Sequence, residues 1–207
     1  MLAIEMLTVG PLQENCYLLR DTENGRAILV DPGDEAERLL GALGRDTLEA
    51  IWLTHAHFDH VGALEAVYRH FKVPVYLHPD DNILLANASA GAAMFGLFLE
   101  QPTVPTLPLV PNQKLTFGAH KATCLFTPGH APGHMAFYFA DAGVVLAGDA
   151  LFRGSVGRTD LPGGNGPQLI ESIRRELLTL PDDTRVLPGH GSETTVHVER
   201  QTNPFLV

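Results

Sequence analysis

The stretch Thr54-His55-Ala56-His57-Phe58-Asp59-His60 places three imidazoles and a carboxylate within seven residues. The preceding segment Leu48–Leu53 has the composition of a buried strand, so the cluster follows the carboxyl end of that strand. If the extended conformation continues, His55 and His57 point the same way because they are two residues apart. The last two residues lie where the chain turns into a helix. The stretch therefore offers two pairs of ligands to two neighbouring metal ions, and the alternative is a surface histidine cluster.

Three further side chains of metal-binding type each follow an apolar, strand-like segment. They are His130 in Thr127-Pro128-Gly129-His130, Asp149 in Ala147-Gly148-Asp149, and His190 in Pro188-Gly189-His190. A glycine in each turn lets the backbone bend sharply at the strand end. Ligands carried by loops at one edge of a rigid sheet make a preorganised site.

The number of candidate ligands indicates a binuclear centre. The seven are His55, His57, Asp59, His60, His130, Asp149 and His190. One tetrahedral zinc ion needs at most four protein ligands, so seven suit two ions if one carboxylate, most naturally Asp149, bridges them. Two such ions lie about 3.5–4 Å apart. A set of imidazoles and carboxylates without cysteine is typical of a catalytic site, and it accepts zinc, iron or manganese.

The order of predicted elements indicates an α/β fold built from two βα halves. The predicted strands are Ala3–Val9, Asn15–Arg20, Ala27–Asp31, Glu49–Leu53, Val73–Leu77, Leu115–Phe117, Ala122–Phe126, Met135–Phe139, Val144–Ala147 and Arg185–Leu187. The predicted helices run from a cap at Asp34 to Leu43, over Val61–His70 and over Gln168–Thr179, and Asn24-Gly25 predicts a hairpin turn. Two facing sheets with helices outside fit a four-layer αβ/βα sandwich.

The apolar segment Ile83–Leu99 allows two interpretations. Its small residues and its length, short of a membrane span, are typical of a helix packed in the core. The alternative is a hydrophobic lip over the metal ions or a contact between subunits.

These motifs together resemble the metallo-β-lactamase-fold hydrolases along nearly the whole chain. The resemblance extends to Asn15-Cys16-Tyr17, Leu29-Val30-Asp31-Pro32-Gly33, Gly157-Arg158-Thr159-Asp160 and Asn203-Pro204-Phe205-Leu206. Within that superfamily the chain looks most like the short, single-domain glyoxalase II-like proteins. The resemblance implies one metallo-β-lactamase domain over residues 1–207, without the C-terminal helical domain that grips glutathione in full-length glyoxalase II enzymes.

The resemblance also implies a role for each ligand. His55, His57, His130 and Asp149 would hold one ion, and Asp59, His60, His190 and Asp149 the other. We expect Asp31 to hydrogen-bond the metal loop and His134 either to orient a ligand or simply to pack. Arg158 occupies the place where glyoxalase II enzymes put a basic residue against glutathione, and the alternative is a loop-forming pair with Asp160.

Composition restricts the partners. The formal charge of −10 and the pI near 5.4 argue against a nucleic-acid partner, because phosphates need a basic surface. The N-terminus lacks the pattern of a signal peptide, and two cysteines are too few for a disulfide scaffold. We therefore expect a cytoplasmic protein that acts on a small molecule without a membrane partner, with its oligomeric state open.

The expected chemistry follows from two adjacent divalent ions. Zinc lowers the pKa of a bound water to about 7, so a bridging hydroxide, held with the help of Asp59 and Asp149, attacks an ester-like carbonyl. The resemblance makes S-D-lactoylglutathione, or a related hydroxyacyl thioester, the first substrate to test. Two alternatives stay open. One is an iron-dependent persulfide dioxygenase, since those relatives share a similar Gly-Arg-Thr-Asp segment, and the other is a lactonase or another hydrolase of the same fold.

Overall fold

A computed structural model describes every residue from Met1 to Val207. The chain forms two compact units, Met1–Leu109 with Thr116–His120 and Val110–Leu115 with Lys121–Val207. No helix in the chain combines the length and the apolar character that crossing a lipid bilayer requires. The single domain over residues 1–207 stays a prediction.

The first unit contains a six-stranded mixed sheet. Its strands, in spatial order, are β1 (Leu2–Val9), β2 (Glu14–Asp21), β3 (Arg26–Val30), β4 (Thr47–Trp52), β5 (Val75–Leu77) and β6 (Thr106–Pro108). The first three strands are antiparallel and β3 to β6 are parallel. Asn24 and Gly25 form the turn between β2 and β3, and Gly25 takes the left-handed conformation with φ 66°, so the predicted hairpin is confirmed.

Five helices accompany this sheet. They are α1 (Ala36–Leu43), α2 (Phe58–Val61), α3 (Leu64–Phe71), α4 (Asn82–Ala86) and α5 (Ala88–Met94). The amphipathic pattern of α1 buries Leu39 and Leu43 in the core of this unit. The predicted cap at Asp34 is wrong: Glu35 occupies the cap position, and Asp34 instead accepts a hydrogen bond from the Glu35 amide at 2.6 Å.

The helix predicted over Val61–His70 is interrupted after Val61. A Cβ atom on Gly62 would lie 2.2 Å from the carbonyl oxygen of Gly33, so only glycine fits at this point. The amide of Ala63 donates to the carbonyl of Pro32 at 2.9 Å. Contact with the loop after β3 therefore interrupts the helix. This contact joins residues that are distant in sequence, so hydrophobic periodicity does not reveal it.

The segment Ile83–Leu99 is not one core-packed helix. It is divided between α4 and α5, and it leaves four large apolar side chains in water. Ile83, Met94, Phe95 and Phe98 are exposed, and Phe98 is 95% exposed. The expectation of a buried helix is therefore wrong for these residues, although Leu85, Ala88 and Ala92 do pack in the core.

The second sheet also has six strands. In spatial order they are β14 (Thr194–Thr195), β13 (Arg185–Pro188), β10 (Val144–Gly148), β9 (Met135–Phe139), β8 (His120–Phe126) and β7 (Lys114–Phe117), and β11 (Leu151–Phe152) pairs with β12 (Ser155–Val156) beside it. The helix predicted over Gln168–Thr179 is α6 (Gly166–Ser172), which continues as a π-helical turn over Ile173–Leu177. The last helix is α7 (Val196–Thr202).

In each unit, parallel strands bring the predicted site residues to one sheet edge. In the first unit, β3 and β4 are parallel, and Asp31 and Thr54 follow their carboxyl ends. In the second unit, β10 and β13 are parallel, and Asp149 and His190 follow theirs. Loops at the carboxyl ends of parallel strands are the usual position of functional residues in α/β sheets.

Candidate metal centre

A buried hydrogen-bond chain organises the histidines of the first unit. The carboxylate of Asp31 accepts from the Thr54 amide at 2.7 Å and from the Thr54 hydroxyl at 2.6 Å. Nδ1–H of His60 donates to the same carboxylate at 3.1 Å, and one ligand atom from each of Asp31, His55 and His60 lies within 4.8 Å of the others. Asp31 therefore holds the metal loop, as predicted from the sequence.

The same chain sets the tautomers of two imidazoles. Because the Thr54 hydroxyl gives its proton to Asp31, it accepts from Nδ1–H of His55 at 3.0 Å. His60 likewise carries its proton on Nδ1. Both rings then present the lone pair of Nε2, which is the form that binds a cation.

The two remaining candidates of the first unit lie at the start of α2. His57 is the N-terminal cap residue of this helix, and Asp59 lies in its first turn. The rings of His55 and His57 meet edge to face with centroids 4.8 Å apart. Oδ2 of Asp59 is 4.0 Å from Nε2 of His60. The short helix therefore keeps all four side chains of the motif close together.

Two buried carboxylates behind this cluster were missed by the sequence analysis. Asp81 is fully buried, and its Oδ2 accepts from the amide of Ala56, between the first two histidines, at 3.2 Å. Glu14 is 1% exposed, with Oε1 3.7 Å from Nδ1 of His60. Both come from distant parts of the chain, so no local spacing marks them. The acid in Glu14-Asn15-Cys16 was the only available signal, because a carboxylate rarely occupies a buried strand.

In the second unit, one carboxylate oxygen lies between two imidazoles. Oδ2 of Asp149 is 3.5 Å from Nε2 of His130 and 3.5 Å from Nε2 of His190. These distances are too long for hydrogen bonds. Two ligands that are each 2.0–2.1 Å from a tetrahedral ion are about 3.4 Å apart, so each of the two separations fits a pair of ligands on one cation. The donor set in this unit thus suits a divalent metal.

A backbone carbonyl orients His130. Nδ1–H of His130 donates to the carbonyl oxygen of Arg158 at 2.7 Å, which leaves Nε2 as the lone-pair nitrogen facing Asp149. The preceding Gly157 allows this approach, because a Cβ atom there would lie 1.9 Å from the carbonyl oxygen of Asp149. The backbone of the Gly157–Asp160 segment therefore packs directly against two candidate ligands, His130 and Asp149.

His134 supports Asp149 in the same way. Nε2 of His134 accepts from the backbone amide of Asp149 at 3.0 Å. Its Nδ1–H then donates to the Thr127 hydroxyl at 2.8 Å. His134 is fully buried, so the orienting role, rather than simple packing, is the one that the structure supports.

The side chain of Arg158 pairs with a neighbour. Its guanidinium makes two hydrogen bonds of 2.7 Å to the carboxylate of Asp160, and both side chains are more than half exposed. This pairing holds the pKa of Asp160 at about 2, below its ordinary value of 3.8. The structure thus shows the loop-forming contact, and a substrate role for Arg158 is a proposal.

Comparison with known proteins identifies the family. The family described as the "Metallo-beta-lactamase superfamily" matches residues 9–190. The chain belongs to this superfamily. Among curated relatives of this metallo-β-lactamase-fold chain, "Probable metallo-hydrolase YqgX" of Bacillus subtilis is 43% identical, with 97% of this chain and 95% of the relative covered. "Hydroxyacylglutathione hydrolase GloC" of Haemophilus influenzae is 40% identical, with 98% of this chain and 96% of that relative covered.

Solved structures agree with this membership. "TTHA1623 in a di-iron-bound form" superposes with a TM-score of 0.91 at 48% identity, over 98% of this chain and all of that one. "BLEG-1 B3 metallo-beta-lactamase" also has a TM-score of 0.91, at 39% identity over 99% of this chain and all of that one. The predicted metallo-β-lactamase fold is confirmed. The chain is a member of a metal-dependent hydrolase superfamily whose fold binds divalent metals.

Proposed function

We propose that this protein is a hydroxyacyl thioester hydrolase of glyoxalase II type. The observation that carries the proposal is the 40% identity with hydroxyacylglutathione hydrolase GloC over nearly the whole of both chains. The complete set of seven candidate ligands in the sequence supports it. S-D-lactoylglutathione is the first substrate to test.

The proposed metal sites share Asp149. One ion is held by His55, His57, His130 and Asp149, and the other by Asp59, His60, His190 and Asp149. The lone-pair Nε2 atoms of His55, His60 and His130 support this assignment, because each of these rings uses its Nδ1–H elsewhere. Zinc is the first candidate, and iron or manganese suits the same donors, since a similar structure was described in a di-iron-bound form.

Two divalent ions, when bound, supply an activated water and positive charge for the developing oxyanion. The chain's own residues hold the donors: Asp31 and the Arg158 carbonyl fix imidazole tautomers, and His134 fixes the backbone of Asp149. A thiol of pKa about 8.5 leaves as a thiolate without a general acid. Neither cysteine is a nucleophile, because burial raises the pKa of Cys124 to about 12 and that of Cys16 well above its ordinary value.

The proposed substrate carries carboxylates on its glutathione part, and Arg158 is the proposed anchor. Its guanidinium is about half exposed and lies on the loop whose backbone carbonyl orients His130. A carboxylate that displaces Asp160 from this side chain would make the same charge-assisted pair. The exposure keeps the expected contribution modest.

The test compares metal content and hydrolysis of lactoylglutathione in matched histidine variants. His190→Ala should lose one of two ions and most of the activity, because it removes a ligand of the Asp59/His60 site. His197→Ala is the matched control, since that exposed imidazole pairs only with Asp182. Undiminished hydrolysis and unchanged metal content in His190→Ala would contradict the proposal.

Two other reactions belong in the same assay. BLEG-1 is described as a metallo-β-lactamase, so a β-lactam is one comparison substrate. Glutathione persulfide with oxygen is the other, because the Gly157–Asp160 segment resembles that of persulfide dioxygenases. A mononuclear dioxygenase would keep its activity in His190→Ala, which separates it from the binuclear hydrolase.

A further inference from the structure

A cavity in the first unit has one candidate metal ligand in its wall. Its volume is about 310 Å³, at the lower end of the range for small-molecule sites. The turn after β1, the helix α2 and the segment after α5 supply its walls. Asp59 lines it beside Phe58, so the cavity opens next to the metal motif.

The walls of this cavity are mostly apolar. Val9, Leu12, Phe58, Leu97, Phe98 and Leu99 line it. Phe58 is in ring contact with Phe95, with centroids 5.1 Å apart. Phe98 at the rim is 95% exposed, and large exposed aromatic side chains beside a concave surface are typical of binding sites. The exposed end of the Ile83–Leu99 segment therefore forms one wall of this cavity.

The charges around the cavity have one sign. Its only charged lining residues are Asp34, Asp59 and Glu100, and all three are acidic. Glu100 is neutralised from outside by an ion pair with Arg69, which does not line the cavity. An anionic group inside would face the carboxylate of Asp34 and would find no cationic side chain in the lining, whereas a neutral apolar group would meet apolar walls.

We propose that this cavity binds the acyl substituent of the thioester, and that the preferred substrates are 2-hydroxyacyl thioesters with a neutral, apolar acyl chain. This inference rests on the proposed function. The glutathione part carries carboxylates, so the acidic lining selects the acyl end of the substrate. At roughly 30 Å³ per water-sized group, the volume accommodates about ten non-hydrogen atoms, far more than the single methyl group of a lactoyl chain.

The kinetic test is a series of glutathione thioesters that differ only in the acyl chain. From lactoyl to 2-hydroxyhexanoyl, kcat/KM should rise about two- to fourfold for each of three added methylenes, because each is removed from water. The 2-hydroxyglutaryl thioester, whose chain ends in a carboxylate, should be no faster than lactoyl. Phe98→Ser should reduce the hexanoyl-to-lactoyl ratio at least threefold. Phe205→Ser, an exposed phenylalanine of the second unit, should leave that ratio unchanged.

A binding measurement separates this inference from the proposed function. Hexanamide, which is neutral and contains no thioester, should shift the amide resonances of Leu12 and Leu97 in the purified protein, and propanamide should shift them less. Binding of hexanamide without hydrolysis of any thioester would support the cavity and overturn the proposed function. Hydrolysis that is independent of chain length, with no shift at these residues, would overturn the cavity proposal and leave the hydrolase in place.

Discussion

Gly157 offers a sharp test of how the second unit holds its ligands. A Cβ atom at this position would lie 1.9 Å from the carbonyl oxygen of Asp149 and 3.1 Å from Nδ1 of His130. Relief of the first contact to about 3.0 Å requires a displacement of roughly 1.1 Å at closely packed backbone. The carbonyl of the next residue, Arg158, would move with it.

That displacement is enough to break the hydrogen bond that orients His130. The distance between Nδ1 of His130 and the Arg158 carbonyl oxygen is now 2.7 Å. A displacement of this size would lengthen that distance to about 3.8 Å, beyond hydrogen-bonding distance. Loss of such a partner typically lowers metal affinity 10- to 100-fold. We therefore expect Gly157→Ala to bind divalent metal 10- to 100-fold more weakly, as measured by competition with a chromophoric chelator.

Gly154→Ala is the matched control in the same loop. Gly154 has φ 69°, and no atom lies within 4 Å of the position that a Cβ atom would take, so alanine there costs only backbone strain of about 1 kcal/mol. This variant should lower the Tm slightly and keep the metal affinity. If Gly157→Ala binds metal as tightly as the unmodified protein, or if both variants lose affinity equally, close packing at Gly157 does not orient His130.

Three further predictions concern Asp31, Arg158 and Asp21. Asp31→Asn should weaken metal binding at the His60 site 10- to 100-fold. One oxygen of Asp31 accepts from the Thr54 amide and the other from the Thr54 hydroxyl and His60, whereas a carboxamide has only one accepting atom. Chelator competition checks this with Asp34→Asn as the control, and unchanged affinity in Asp31→Asn would contradict it. Arg158→Ala should raise KM for lactoylglutathione about tenfold with little change in kcat, whereas Asp160→Ala, which frees the guanidinium, should not raise KM. A lowered Tm with unchanged KM in Arg158→Ala would assign that side chain to the loop alone. Hydrogen bonds, first from the Ala119 amide, hold the pKa of Asp21 at about 2, below its ordinary 3.8. The stabilising contribution of ionised Asp21 is therefore complete above about pH 4 and is lost as the pH falls towards 2. We expect the difference in free energy of unfolding between the unmodified protein and Asp21→Asn, measured by urea denaturation, to shrink over that range. A difference that stays constant with pH would count against this assignment.

The features that the sequence predicted are local ones. The strand-end motifs around His55, His130 and His190 are contiguous, and the turn at Asn24-Gly25 needs only its own backbone conformation. Such patterns are visible in a single sequence because the residues that determine them are neighbours in the chain.

The features that it missed depend on contacts between distant residues. Asp81 supports the amide of Ala56 across 25 positions, and the Arg158 carbonyl supports His130 across 28. The break between α2 and α3 arises because Gly62 packs against the loop after β3. The helical periodicity of that segment is real, but tertiary packing overrides it.

The apolar segment Ile83–Leu99 shows a second limit of prediction from sequence. Composition favoured a core-packed helix over Ile83–Leu99, with a hydrophobic lip as the alternative, yet Met94 and Phe98 are exposed. Hydrophobicity alone does not distinguish a side chain that packs in the core from one at the rim of a cavity, because both are apolar. The lip that was the alternative interpretation agrees with the cavity wall formed by Leu97, Phe98 and Leu99.

The proposed function depends above all on Asp149 as a ligand common to two metal ions. Native mass spectrometry of the purified protein, reconstituted with zinc and desalted, counts the ions bound per chain. We expect two ions in the unmodified protein and none retained in Asp149→Ala, with the fold intact by circular dichroism. Retention of two ions in Asp149→Ala, or binding of only one ion by the unmodified protein, would contradict it.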